Sequence, residues 1–114
     1  MLTSSCKQKG RRLCLKIKDK ILAWFPDAIV ADDIQIASAG ANGADLIFSP
    51  RMKELLPLVI EAKNTERLDV WGAIKQSQQH AVGKAEKPVV IFSRNKEEHE
   101  YVIIKFEDLL WLMK

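Results

Sequence analysis

The stretch from Asp45 to Lys63, DLIFSPRMKELLPLVIEAK, limits the folds open to this chain more than any other. One apolar run, Ala44-Asp45-Leu46-Ile47-Phe48, carries an acid at its start. A second, Leu58-Val59-Ile60, ends in Glu61-Ala62-Lys63. Both are short, rich in β-formers and bounded by Ser49-Pro50 and Pro57, which predicts two strands. Antiparallel pairing of the two would set the start of the first beside the end of the second. Asp45 then lies next to Glu61, and the two-residue pleat turns Glu61 and Lys63 to one face while Ala62 points away. The sequence therefore predicts two carboxylates and an ammonium converging at a strand end. Carboxylates so placed repel, so removing one is expected to leave the fold intact and to raise stability without metal.

Such a cluster has a definite chemical use. Two carboxylates hold Mg²⁺ with water positions left open, and the metal binds a phosphate and acidifies an attacking water. A lysine beside them orients that water or offsets charge developing on the phosphorus centre. The spacing D-x15-E-x-K resembles that of the PD-(D/E)XK nucleases, the restriction-endonuclease-like superfamily that includes archaeal-type Holliday junction resolvases. The resemblance implies that Asp45, Glu61 and Lys63 are catalytic and that Asp45, Glu61 and the main chain of Ala62 bind Mg²⁺, with Mn²⁺ substituting. Ala44 stands where the motif name has proline. The alternative for the same residues is a salt-bridged strand end, since alternating charge on a solvated strand is common.

The rest of the chain is consistent with one domain built around that stretch. Leu13, Ile17, Ile21, Leu22, Trp24 and Phe25 recur at helical spacing from about Arg11, and Pro26 closes the pattern. Arg12, Lys16 and Lys20 follow one another at i+4 beside that stripe. With Arg11, they form a cationic row that either tracks a DNA backbone or is a solvated helix face. Junction resolvases carry a glutamate in this helix a few residues after a glycine. Here Gly10 is followed by Cys14, Leu15 and Lys16. Ile34 to Ala37 alternates as a half-buried strand, and Ser38 to Gly43 reads as a turn returning antiparallel into the Asp45 strand. Arg51 to Leu56 reads as a polar connection or a short helical turn.

After the Glu61 strand, Asp69 is placed to cap a helix whose inner stripe is Trp71, Ile74, Gln78, Ala81 and Val82, with Gly83 ending it. The resemblance assigns a helix in this place a glutamine or lysine of the site, hence Gln76 as catalytic and Lys75 as a DNA contact. Gln76-x-x-x-His80 resembles the Q-x-x-x-Y pattern of RecB-like members, with His80 in place of tyrosine. His80 itself reads as a lone solvated histidine. Pro88 to Phe92 has the continuous apolar character of a central strand. Tyr101 to Lys105 gives a last strand, and Phe106 to Met113 a short helix packing through Leu109, Leu110 and Trp111.

The order α-β-β-β-α-β-β-α agrees with the αβββαβ core that the resemblance implies: an α/β fold with a mixed central sheet flanked by helices, spanning 1–114 as a single domain with 1–9 flexible. A chain of 114 residues, 47% hydrophobic, has room for one core. It shows no long apolar run and no signal-peptide pattern, from which a cytoplasmic protein is expected. Cys6 and Cys14 lack zinc-ligand spacing and are expected to be reduced. Residues 1–20 hold seven Lys/Arg against one Asp, net +6, which leaves −3 on the remaining 94. That asymmetry points to a polyanion partner.

The function expected is Mg²⁺-dependent hydrolysis of DNA phosphodiester bonds, selective for branched structures, in phage or bacterial recombination or repair. A homodimer is expected, with a partner protein as a further source of specificity. The competing readings are a non-catalytic DNA- or protein-binding module on the same fold, and an end-processing exonuclease.

Overall fold

The computed structural model describes residues 4–38 and 43–114, with side chains from residue 10 onward. Most of the turn expected at Ser38 to Gly43 lies outside the described residues, as does the side chain of Cys6. Helix α1 (Ser4–Trp24) begins ahead of the Arg11 expected and inside the segment expected to be flexible, and Pro26 follows its last turn. Leu13, Cys14 and Ile17 are its buried face, with Ile21 and Leu22 packed against the same core. Trp24, placed on that stripe by its spacing, points to solvent.

A 3₁₀ turn at Ala31–Asp33 leads into β1 (Ile34–Ile36), which pairs antiparallel with β2 (Leu46–Phe48), Ile34 opposite Phe48 and Ile36 opposite Leu46. The segment after β2 is a true helix, α2 (Pro50–Leu55). Ser49 caps it by accepting from the Met52 N–H at 3.1 Å, and Pro50 fills the first turn, where a missing N–H costs nothing. Ser49 also donates to Asp33 Oδ1 at 2.7 Å, so one hydroxyl ties the helix start to the start of the hairpin.

Strand β3 (Leu58–Asn64) runs parallel to β4 (Lys87–Ser93), and β5 (Tyr101–Ile104) runs antiparallel to β4. This is a mixed sheet in the order β3-β4-β5, with the apolar Pro88 to Phe92 run central as expected. Helix α3 (Val70–His80) crosses between β3 and β4, and α4 (Phe106–Leu112) follows β5. The pleat divides the sheet cleanly. Leu58, Ile60, Ala62, Val89, Ile91 and Ile104 join the core under α1, together with Phe48 and Met52. Val59 and Val90 are buried on the other face, where Glu61 and Lys63 reach side chains of α3. The chain is therefore an α/β fold whose mixed sheet is flanked by helices.

Three expectations about packing are corrected. The Asp45 run and β3 do not form a ladder, and the hairpin and the three-stranded sheet are separate ladders. In α3 the buried positions are Ala73 and Ser77, while Trp71, Gln78 and Val82 are exposed. Small residues face the sheet because the helix lies close to it. In α4 the buried residue is Asp108, while Leu109, Leu110 and Trp111 are all exposed.

Candidate functional site

Asp45 precedes β2 and is joined to β3 by two hydrogen bonds of different kinds. Its N–H donates to the Ile60 carbonyl at 3.0 Å, and its Oδ2 accepts from the Ala62 N–H at 2.7 Å. The carboxylate takes the place a second ladder carbonyl would hold, and an ionised acceptor makes the stronger bond. Asp45 therefore lies beside Glu61, held by one backbone and one side-chain bond instead of by a ladder. A strand residue's N–H and C=O point to the same side, so the Ala62 carbonyl is directed toward the Asp45 side as well.

Glu61 is almost wholly buried, at 4% exposure. Its Oε1 lies 3.7 Å from Lys63 Nζ and its Oε2 lies 2.7 Å from His80 Nδ1. With Glu61 ionised, that ring nitrogen donates. Lys63 Nζ in turn donates to Gln76 Oε1 at 2.7 Å. The strand and the helix match by arithmetic. Two residues of strand advance about 6.6 Å, and four residues of helix advance about 6 Å. Gln76 and His80 therefore meet Lys63 and Glu61 in turn, with α3 running against the direction of β3. Asp69 fixes where this helix begins, its carboxylate accepting from the Gly72 N–H at 3.1 Å.

The cluster sets two carboxylates against one ammonium and one imidazole. Burial, then the neighbouring Asp45 charge, raise the affinity of Glu61 for a proton above that of an ordinary glutamate, against the opposing pull of His80 and Lys63. The Asp45 and Glu61 carboxylates share one end of β3. The donors facing it are carboxylate and carbonyl oxygens, which suit a hard divalent cation such as Mg²⁺. Asp45, Glu61 and the Ala62 carbonyl are the residues that could hold one. No cluster of three or more His, Cys, Asp and Glu side chains in metal-binding arrangement occurs among the described residues, so a cation here would rely on the backbone and on water.

The expected site residues separate into two groups. Asp45, Glu61, Lys63, Gln76 and Ala62 come together. The cationic row does so only in part: Lys16 and Lys20 both pair with Glu100, the first at 3.1 Å, which pins α1 to the start of β5. Those two lysines outweigh the effect of burial and hold the Glu100 carboxyl below its ordinary range. Arg11 and Arg12 are exposed on α1, and Lys75 is exposed on α3. Cys14, where the first-helix glutamate was sought, is free and buried; burial, then Asp45 and Glu61, push its thiol up to about 11.

The residue that sequence reasoning missed is His80. It was expected to be solvated, yet its imidazole is mostly covered and bonded to Glu61. The signal was available in the four-residue interval from Gln76, which puts the two on one face of the helix. Comparison with family models, with curated proteins and with solved structures returned no match.

Proposed function

We propose that this chain is a divalent-metal-dependent nuclease that hydrolyses DNA phosphodiester bonds, on a core of the restriction-endonuclease-like kind. The observation that carries this reading is the convergence of Asp45, Glu61 and Lys63, completed by Gln76 and His80 from α3. A structural ion pair at a strand end needs neither a second carboxylate nor a helix supplying one partner to each of its members. No helix among the described residues is long and apolar enough to cross a membrane.

A Mg²⁺ ion held by Asp45, Glu61 and the Ala62 carbonyl would supply Lewis acidity and lower the pKa of a bound water. The chain's own groups do the rest. Asp45 is fixed by the Ala62 N–H, so its second oxygen keeps one direction. His80 holds Glu61 in one rotamer, as partners of metal-binding carboxylates do. The water oxygen, its proton passed to solvent, bonds to phosphorus as the opposite P–O bond breaks; the leaving oxygen takes a proton from solvent, and negative charge grows on the phosphoryl oxygens in between. Lys63, held at Gln76, presents its ammonium to that charge. Selectivity comes, on this reading, from DNA shape or from a partner protein rather than from base sequence.

The test is nicking of supercoiled plasmid with Mg²⁺ or Mn²⁺, followed by comparison of four-way junction, flap, single strand and linear duplex. Glu61→Gln and Lys63→Ala should each abolish cleavage while the melting transition is retained. Full activity in either variant defeats the mechanism, and DNA binding without cleavage by the wild type leaves the binding-module reading standing.

A further inference from the structure

The short helix α4 is built inside out. Phe106, Leu109, Leu110 and Met113 stand at i, i+3, i+4 and i+7, the spacing of a helix's core-facing stripe. Yet this stripe faces solvent: Phe106 is 72% exposed, Leu110 51% and Met113 75%, while the acid Asp108 is the buried residue. The surface beside it is of the same character. Strand β5 is the sheet's edge and leaves Tyr101 exposed on its α3 side. A mostly apolar groove of about 290 Å³, lined by Trp71, Ile74, Pro88 and Ile103, runs between α3 and β5 as far as Lys105, the residue that starts α4. Trp71 at its rim is 80% exposed.

We infer that this surface is a twofold interface between two copies of this chain. Three observations choose a second copy as the occupant. The surface carries a protruding apolar knob, Phe106, and an apolar groove side by side, so a twofold axis can seat each copy's knob in the other's groove; isologous contacts require such self-complementarity. Residues 101–114 contain Lys105 and Lys114 against Glu107 and Asp108, no net charge, with Lys105 and Glu107 paired at 3.4 Å. Such a rim neither repels its own copy nor attracts a polyanion. The size also fits. At 150–250 Å² for each fully exposed aromatic side chain, the stripe with Trp71, Trp111 and Tyr101 offers roughly 800 Å², against about 800 Å² per partner in a standard interface. The inference does not depend on the nuclease reading, because it uses no residue of the Asp45–Glu61–Lys63 cluster.

Sedimentation equilibrium from low micromolar concentration upward tests it. The wild type is expected to fit a monomer–dimer equilibrium. Phe106→Glu and Leu110→Glu should each weaken that equilibrium at least roughly thirtyfold, with far-ultraviolet circular dichroism unchanged. Val30→Glu, an exposed apolar residue outside this surface, should leave it intact. If Phe106→Glu fails to fold, Met113→Glu reads the same contact from a residue 75% exposed. A wild type that stays monomeric, one that grows into open-ended assemblies, or a dimer untouched by the glutamates overturns the inference.

Discussion

Asp45 to alanine and Asp45 to asparagine should part company in stability, and the reason lies in one hydrogen bond. Repulsion between two carboxylates, considered alone, predicts that losing either one stabilises the metal-free protein. The Asp45 Oδ2 bond to the Ala62 N–H reverses that for alanine. Alanine removes a charge-assisted bond worth about 1.5–3 kcal/mol and leaves an N–H without its partner in a half-buried place. Relief of the repulsion with Glu61 offsets a part, so a net loss of about 1–2 kcal/mol is expected. For a domain of this size that lowers the melting temperature by roughly 4–12 °C. Asparagine keeps an oxygen in place and drops the charge, so Asp45→Asn should melt within about 2 °C of the wild type or above it. The assay is thermal unfolding followed by circular dichroism in EDTA at neutral pH. Asp45→Ala melting at or above the wild type would refute the reasoning, and so would an asparagine variant as unstable as the alanine one. Neither variant should cleave DNA.

Three more outcomes follow from the same contacts. Because the folded-state pKa of Glu61 is raised, its ionisation costs the metal-free fold nothing below the ordinary glutamate value of 4.5 and its full penalty above the raised one. Urea midpoints should therefore show the advantage of Glu61→Gln over wild type growing as pH rises through that window; a constant difference would count against it. His80→Ala should lower cleavage and Mn²⁺ affinity by about 10–100-fold, with a coupling to Glu61→Gln of about 0.5–3 kcal/mol in a double-mutant stability cycle; additivity would return His80 to a spectator. Neutralising Arg11 and Arg12 should flatten the salt dependence of DNA binding by up to roughly one log–log unit per lost contact, whereas Lys16→Gln and Lys20→Gln should chiefly loosen α1 from Glu100. Salt titrations of binding, set beside melting curves, separate the two effects.

What the sequence revealed and what it hid divide along the range of the forces involved. Period-2 and helical patterns, with Pro26, Ser49-Pro50, Pro57 and Asp69 as punctuation, placed the elements because those signals act within a few residues. The junction of the Asp45 run with β3 was legible in its result and hidden in its means. Nothing local says that a side-chain oxygen, rather than a backbone carbonyl, will meet the Ala62 N–H. Helix faces were hidden for a related reason. In α3, hydrophobicity pointed to Trp71 and Val82, but close approach of the helix to β3 selected Ala73 and Ser77 for the interface. In α4, Leu109, Leu110 and Trp111 were assigned to packing, whereas the structure leaves them outward.

His80 shows how a longer-range relation could have been found from the sequence. Glu61 and Lys63 had been read onto one face of a strand, and the four-residue interval from Gln76 to His80 had been noted only as a resemblance. Their advances, about 6.6 Å and about 6 Å, differ by less than the play in two long side chains. A helix returning over its own strand could therefore satisfy both pairs at once, and only in one sense: with α3 reversed relative to β3, the glutamine meets the lysine and the imidazole meets the buried carboxylate. In the opposite sense Gln76 would meet Glu61 and His80 would meet Lys63. The buried acid would then lose its imidazole partner, and two donor groups would face each other whenever the ring was charged. The chemistry of the four side chains thus favours the observed direction of crossing, and in doing so supplies each member of the Glu-x-Lys pair with its own support.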